Sequence, residues 1–285
     1  MEAAQDTSRE QLRWRVKDRL VEVPRPAVMG ILNATPDSFH AASRVGPQEM
    51  VDRVRAMLEA GADLIDIGGE SSRPGAVPIG EQEELDRVIP VAELMSTRFP
   101  DVLWSIDTRR ASVARAAVGH GASVVNDISA GTYDPDMLGV VAELHVPYIL
   151  MHMQGESATM QQDPTYGHVV QEVAHFLTQR ARLAREAGIP DIILDPGFGF
   201  GKTTAHNYAL LRAMPVLSRL GHPVLVGLSR KRMVNEVLGT SPDEALNGTT
   251  VLNTIALLNG ASILRVHDVR EAQQAVRLVR TYSTS

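Results

Sequence analysis

The sequence predicts an α/β protein, a single (β/α)8 TIM barrel, on three observations. Eight short apolar runs are spread along its 285 residues, a helix-length segment follows each run, and most runs end in a polar or charged residue. Strands of four or five residues alternating with helical segments are the pattern of a parallel sheet built from βα units. Eight such units close a barrel whose active site is assembled at the carboxyl ends of the strands, so the terminal polar residues mark one functional rim.

The elements follow in order. Residues 1–26 read as an N-terminal extension, with 19–23 a short strand placed to plug or flank the barrel, and 27–285 read as the barrel itself. Strand one, 28–32, ends at Asn33 and leads through Thr35-Pro36-Asp37-Ser38-Phe39 to a helix over 47–60, which Pro47 opens and Gly61 stops. Strand two, 64–67, runs into Gly68-Gly69-Glu70-Ser71-Ser72-Arg73-Pro74-Gly75, where glycines and proline forbid regular structure and allow close backbone approach to a ligand. A helix over 81–98 comes next. Strand three, 103–106, ends at Asp107 before a helix over 110–120, and strand four, 124–125, ends at Asn126 and Asp127 before a helix over 136–144. Strand five, 148–151, closes with Met151 and precedes the longest helix, 166–187, ended by Gly188 and Pro190. Strand six, 192–194, ends at Asp195 before a helix over 205–219; strand seven, 224–228, contains Gly227 and ends at Ser229 before helical pieces at 231–238 and 242–259; strand eight, 263–266, ends at His267 before the last helix.

Composition narrows the function classes. With 44% hydrophobic but only 4% aromatic residues, the core must be built from Val, Ile, Leu, Ala and Met, as suits a parallel sheet covered by helices. Zero cysteines exclude disulfides, thiolate zinc sites and a cysteine nucleophile. A net charge of -6 argues against general nucleic-acid binding, so any anionic substrate must be held locally. No run approaches the ~18 apolar residues of a membrane span, and the first twenty residues mix acids and bases where a secretory signal needs an apolar stretch. A cytosolic protein without a membrane or nucleic-acid partner is the expectation.

Three groups of residues carry potential chemistry. Asp107 and Asp195 end apolar strands, where an ionised carboxylate needs a donor; two such acids can accept from an N-C-N edge of a heterocycle, with Asn126 adding a donor and an acceptor. Structural acids satisfied by backbone amides or a neighbouring arginine are the competing reading. Ser229-Arg230-Lys231 and Arg265-Val266-His267 occupy the usual phosphate-binding loops of a barrel and carry three cations and a histidine. A solvated charge run and a core histidine are the plainer alternatives. Asn33 and the loop 35–38 offer oxygen ligands without a carboxylate cluster, which is what a Mg2+ site completed by substrate phosphates would show, or else a capping turn. The glycine-rich stretch from Asp195 to Lys202 is neither a P-loop, since Pro196 stands where glycine is needed, nor a dinucleotide fingerprint, since Lys202 breaks the spacing. It reads as a turn that sets an acid and an exposed Phe200 beside a ligand.

Taken together, the strings Met29-Gly-Ile-Leu-Asn33-Ala-Thr-Pro-Asp-Ser-Phe39, Asp66-Ile-Gly-Gly-Glu-Ser-Ser-Arg-Pro-Gly75, Ser105-Ile-Asp-Thr108, Asn126-Asp127, Met151-His-Met153, Asp195 to Lys202, Gly227-Leu-Ser-Arg-Lys231 and Arg265-Val-His-Asp268 resemble those of the dihydropteroate synthases, pterin-binding enzymes of the folate pathway. Ser72 stands where that family usually has threonine, and loop one departs from its pattern after Phe39. The resemblance implies that Asp107, Asn126, Asp195 and Lys231 bind the pterin, with Met151 and Gly227 part of the substrate site. It implies that Asn33, Arg265 and His267 hold a pyrophosphate with Mg2+, and that Phe200, Lys231, Ser229, Arg73 and Pro74 shape a para-aminobenzoate pocket with Ser72 near both ligands. Catalysis would then rest on Asn33, Asp107, Lys231, Arg265 and His267, in a transferase that is a homodimer and a sulfonamide target. The other function these residues allow is a pterin-binding barrel without turnover, or one serving methyl transfer.

Overall fold

The structure, a computed structural model, describes residues 11–34, 47–71, 76–156 and 159–284. Two antiparallel strands come first, β1 (Gln11–Val16) and β2 (Arg19–Pro24), paired from Gln11 with Pro24 to Val16 with Arg19. Eight parallel strands follow: β3 (Ala27–Asn33), β4 (Leu64–Gly68), β5 (Trp104–Asp107), β6 (Val124–Asp127), β7 (Tyr148–Met151), β8 (Ile192–Asp195), β9 (Leu225–Val226) and β10 (Ile263–Val266). Their hydrogen-bonded order is β8-β7-β6-β5-β4-β3-β10-β9. A bridge between Leu194 and Val224 joins the two ends, and the ring is a barrel.

Helices lie between the strands: α1 (Pro47–Glu59), α2 (Glu81–Arg98), α3 (Ala111–Gly119), α4 (Met137–Leu144), α5 (Val169–Glu186), α6 (Thr204–Arg212), α7 (Met214–Ser218), α8 (Arg232–Leu238), α9 (Leu246–Leu258) and α10 (Val269–Thr284). Two expected helices are each divided. The segment 205–219 breaks at Ala213, whose φ of -90° and ψ of 7° leave the helix, because Pro215 lacks the N–H that would continue it. The segment 242–259 opens as a single 3-10 turn, Pro242–Glu244, before α9 begins.

Apolar packing divides into an outer and an inner layer. The outer layer joins the helices to the sheet and includes Val88, Val91, Ile106, Val125, Leu150, Leu194, Leu228 and Val266. The inner layer fills the floor of the barrel with Ala27, Met29, Leu64, Val124, Ile149, Ile193, Leu225 and Ile263, and Leu12, Trp14 and Val23 of the hairpin complete it. The hairpin is thus a plug. Only its second strand was anticipated, since Gln11–Val16 alternates Leu12, Trp14 and Val16 with polar residues and a half-buried period is easily lost in so charged a segment. Two long-range bonds fasten it: Arg15 N–H donates to Asp191 Oδ2 at 2.7 Å and Lys17 N–H to the His145 carbonyl at 2.7 Å.

Candidate active site

Side chains on a strand face one side at every second residue, so the residues two places beyond the apolar floor also point into the barrel. In β4 that residue is Asp66, in β6 Asn126, in β7 Met151, in β8 Asp195, and in β10 Arg265. At every one of these strands but β7, where Met151 keeps it apolar, the pleat changes the interior from apolar to polar within a single step. Asp66 is fully buried and collects donors from three other strands: Ser105 Oγ at 2.5 Å, Asn126 Nδ2 at 3.3 Å from each carboxylate oxygen, and Arg265 Nε at 2.6 Å. Arg265 also reaches Asp107 Oδ2 at 2.7 Å. Burial works against the Arg265 charge, and Asp66 and Asp107 more than offset it, holding the guanidinium protonated.

Above this layer the barrel opens into a cavity of about 990 Å3 lined in part by Asn33, Asp107, Phe200, Ser229, Lys231, Arg265 and His267. That volume lies at the upper end of ligand sites. Asp107 closes β5 and lines it; Asp195 closes β8 just below, bonded through Oδ1 to the Gly197 N–H at 2.7 Å. Among the described residues, Asp107 Oδ1 and Asp195 Oδ2 receive no hydrogen bond from a protein donor. Burial raises both carboxyls, with Arg265 pulling the first and Lys231 the second back down. Each acid thus has one oxygen spoken for, as the structural reading held, and one left to a ligand.

Lys231 stands at the start of α8, donates to the Phe198 carbonyl, and lies 4.7 Å from the centre of the Phe200 ring. Phe200 is not exposed, as the sequence suggested. At 9% exposure it packs with Met151 and Met160 and offers only a face to the cavity, because Met151 at the end of β7 backs it. Gly227 lies under Lys231, where a Cβ would sit 3.7 Å from the ammonium. His267 sits against Ser229: its N–H donates to Ser229 Oγ at 3.2 Å and its Nδ1 lies 3.0 Å from the same oxygen.

Not every expected cation is open to an anion. Arg230 holds Asp268 through two nitrogens, at 3.1 and 2.6 Å, and its charge is answered there. Arg265 is clamped between two acids rather than standing alone, so an anion would compete with Asp107 for it. Asn126, expected on the ligand surface, is 3% exposed; with its amide nitrogen given to Asp66, only its carbonyl oxygen remains to accept. Ser72, Arg73 and Pro74, and the loop 35–38, lie outside the described residues. The base of the second loop is anchored: Glu70 accepts from Arg109 at 3.3 Å, Arg110 at 3.1 Å and the Ile79 N–H at 3.1 Å.

Asp66, Ser105 and Lys202 were not singled out from sequence. Asp66 sits inside what reads as an apolar run, and only its place two residues before Gly68 signals an inward carboxylate.

Acceptors above the apolar floor and beneath a rim of Lys231, Arg265 and His267 define a barrel enzyme that takes a flat, N–H-rich ring and an anionic group. The described fold matches relatives along most of its length. The family model described as pterin binding enzyme matches residues 29–267, and the chain belongs to that family. It is 43% identical over 264 residues to the dihydropteroate synthase of Escherichia coli (strain K12), covering 91% of this chain and 92% of that one. The crystal structure of the Yersinia pestis dihydropteroate synthase with a sulfonamide drug complex superposes with a TM-score of 0.89 at 41% identity, covering 96% of this chain and 100% of that one. The Xanthomonas albilineans dihydropteroate synthase in complex with 7,8-dihydropteroate superposes with a TM-score of 0.85 at 40% identity over 96% of this chain and all of that one.

Proposed function

We propose that this chain condenses 6-hydroxymethyl-7,8-dihydropterin pyrophosphate with para-aminobenzoate to give 7,8-dihydropteroate and pyrophosphate, the dihydropteroate synthase step of folate biosynthesis. The observation that carries the reading is the unclaimed carboxylate oxygen that Asp107 brings to a cavity lined also by Phe200, Lys231, Arg265 and His267, with a second unclaimed oxygen on Asp195, buried at the end of β8. A pterin presents N–H donors along one edge, and the two oxygens with the Asn126 carbonyl are acceptors for them. Lys231 adds a donor.

In the reaction the methylene carbon loses its bond to the pyrophosphate oxygen, which leaves with the electron pair, and the aniline nitrogen forms the new C–N bond and gives up one proton. No enzyme nucleophile is required. Arg265 and His267 receive the charge that develops on the departing group, and Phe200 with Lys231 and Ser229 orients the aromatic acid, a role in which the family resemblance includes Ser72, Arg73 and Pro74. Mg2+, when bound, would neutralise the leaving pyrophosphate. Asn33, exposed at the end of β3 and lining the cavity, is the described residue that offers it an oxygen, and no group of three or more His, Cys, Asp or Glu among the described residues forms a metal cage. A single protein oxygen fits an ion held mainly by substrate phosphates and water.

We further propose a homodimer through α8 and α9. Val237, Leu238, Leu246, Val251, Ile255 and Leu258 are exposed there, whereas Met233 and Val234 at the start of α8 are buried. A cytoplasmic location accompanies this reading, and no described helix is long and apolar enough to cross a membrane.

The test supplies purified protein with the pterin pyrophosphate and Mg2+, with and without para-aminobenzoate, measures pyrophosphate release and identifies the pterin product by mass. Dihydropteroate is the expected product. Tight pterin binding without condensation would replace this reading with that of a non-catalytic or methyl-transfer barrel.

A further inference from the structure

Lys202 closes the glycine-rich turn after β8 and is 2% exposed, yet among the described residues it forms no ion pair. Its ammonium donates instead to the carbonyl oxygens of Gly197 at 2.8 Å, Phe200 at 2.9 Å and His152 at 3.2 Å, and lies 3.0 Å from His152 Nδ1. Burial, with Lys202 alongside, lowers His152 to about 3, so the ring is neutral and Nδ1 serves as an acceptor. Burial lowers Lys202 itself to about 7 against the pull of the Asp195 charge, and its protonated form is tolerated because its donors are all engaged. Here three N–H groups face four acceptors.

Those acceptors belong to two different loops. His152 follows β7, while Gly197 and Phe200 follow β8, and the two backbones touch. Gly197 and Gly201 have φ of 67° and 59°, and a Cβ on the first would run into the His152 carbonyl, on the second into the Gln154 carbonyl. Tyr166 adds a bond to the Gly201 carbonyl at 2.9 Å. The loops are therefore docked backbone to backbone and fastened by one ammonium. Phe200 hangs from that fastening: Lys202 holds its carbonyl while its ring lies between Met151, Met160 and Lys231. Turned inward in this way, the lysine is not offered to a phosphate, despite its place after a glycine-rich turn.

We propose that Lys202 is a positioning residue for the aromatic-acid side of the site, setting the Phe200 ring by tying the β7 and β8 loops together. The proposal rests on the assignment of Phe200 to the para-aminobenzoate pocket.

The experiment compares Lys202→Met, Lys202→Gln, Phe200→Ala and the Phe200→Ala/Lys202→Met double variant. Each is measured for KM toward para-aminobenzoate, for kcat, and for pterin dissociation constant by calorimetry. Lys202→Met is expected to raise KM about tenfold with kcat and pterin affinity held within about twofold, and Lys202→Gln, which keeps two donors, to recover part of the loss. In the Phe200→Ala background the lysine substitution adds nothing further to KM, because its effect is transmitted by that ring. An unchanged KM in Lys202→Met alongside a raised KM in Phe200→Ala overturns the proposal and leaves the pocket assignment standing. An unchanged KM in Phe200→Ala overturns it at its root, in the assignment of the pocket. Pterin affinity falling in step with KM, or failure of both lysine variants to fold, makes Lys202 a determinant of folding alone and also overturns it.

Discussion

Replacing Asp66 with asparagine removes the charge on which the polar layer of the barrel is organised. The carboxylate accepts from Ser105 at 2.5 Å, Asn126 at 3.3 Å and Arg265 at 2.6 Å, and is itself fully buried. An amide has one acceptor oxygen, so its NH2 must face at least one of these donors. Removing one partner of a buried ion pair costs about 3–5 kcal/mol, and Arg265 retains Asp107, which places Asp66→Asn at the lower end, about 3 kcal/mol. Freed from Asp66, the Asn126 amide can turn and lose the acceptor it presents to a ligand, a loss of about 1–1.5 kcal/mol in binding, or roughly tenfold in pterin affinity. Urea unfolding followed by circular dichroism gives the first quantity, with an unchanged slope expected, and calorimetric titration with a pterin gives the second. A destabilisation under about 1 kcal/mol together with wild-type affinity would refute the role assigned to this carboxylate.

Three other outcomes are expected. Trp14→Ala, which empties a 3%-exposed position at the floor of the barrel, should cost about 3–5 kcal/mol in urea unfolding while kcat/KM stays unchanged at a temperature where the variant is folded; a cost below about 1 kcal/mol would show that the hairpin does not seal the floor. Burial, with Asp195 opposing and Arg265 adding to it, lowers Lys231 from 10.5 to about 8, so pterin affinity should decline above about pH 8 and Lys231→Arg should hold it to higher pH. Over that window the unfolded chain binds more protons than the folded one, so this group makes the fold more stable as the pH rises, and lost affinity is not unfolding; because burial brings Asp107 to about 8 as well, the comparison is with Lys231→Arg, and an affinity profile that this substitution leaves unchanged from pH 7 to about 9.5 would be evidence against this role. Sulfonamides should compete with para-aminobenzoate, their apparent inhibition constant rising in proportion to its concentration, and inhibition indifferent to that concentration would contradict the shared pocket.

The strands and their order were legible because each apolar run is bounded by turn residues and closes on a polar one. Asp107, Asn126 and Asp195 were singled out from that boundary and Arg265 from its place beside His267, and the barrel brings all four to one end. What the boundary does not show is the layer beneath it. Asp66 and Ser105 lie within their runs, and their inward direction depends on pleat register, which apolar counting ignores. The bonds of Arg265 to Asp66 and Asp107 join β10 to β4 and β5, contacts between residues 199 and 158 positions apart that no local pattern encodes. The inward turn of Lys202 and the taking up of Arg230 by Asp268 are likewise tertiary facts. Local sequence marked them only as cations after a strand.

The hairpin at the floor has a consequence for how the chain is made. Leu12, Trp14 and Val23 leave the ribosome well before Ile263 of β10, which is part of the surface that covers them. At about 5–20 residues per second, roughly 240 more residues must be added before that surface is complete, a wait on the order of 12–50 seconds. During this interval the hairpin carries a tryptophan whose cover is incomplete, so nascent-chain chaperones that bind apolar segments would act on the folding of this protein through β1.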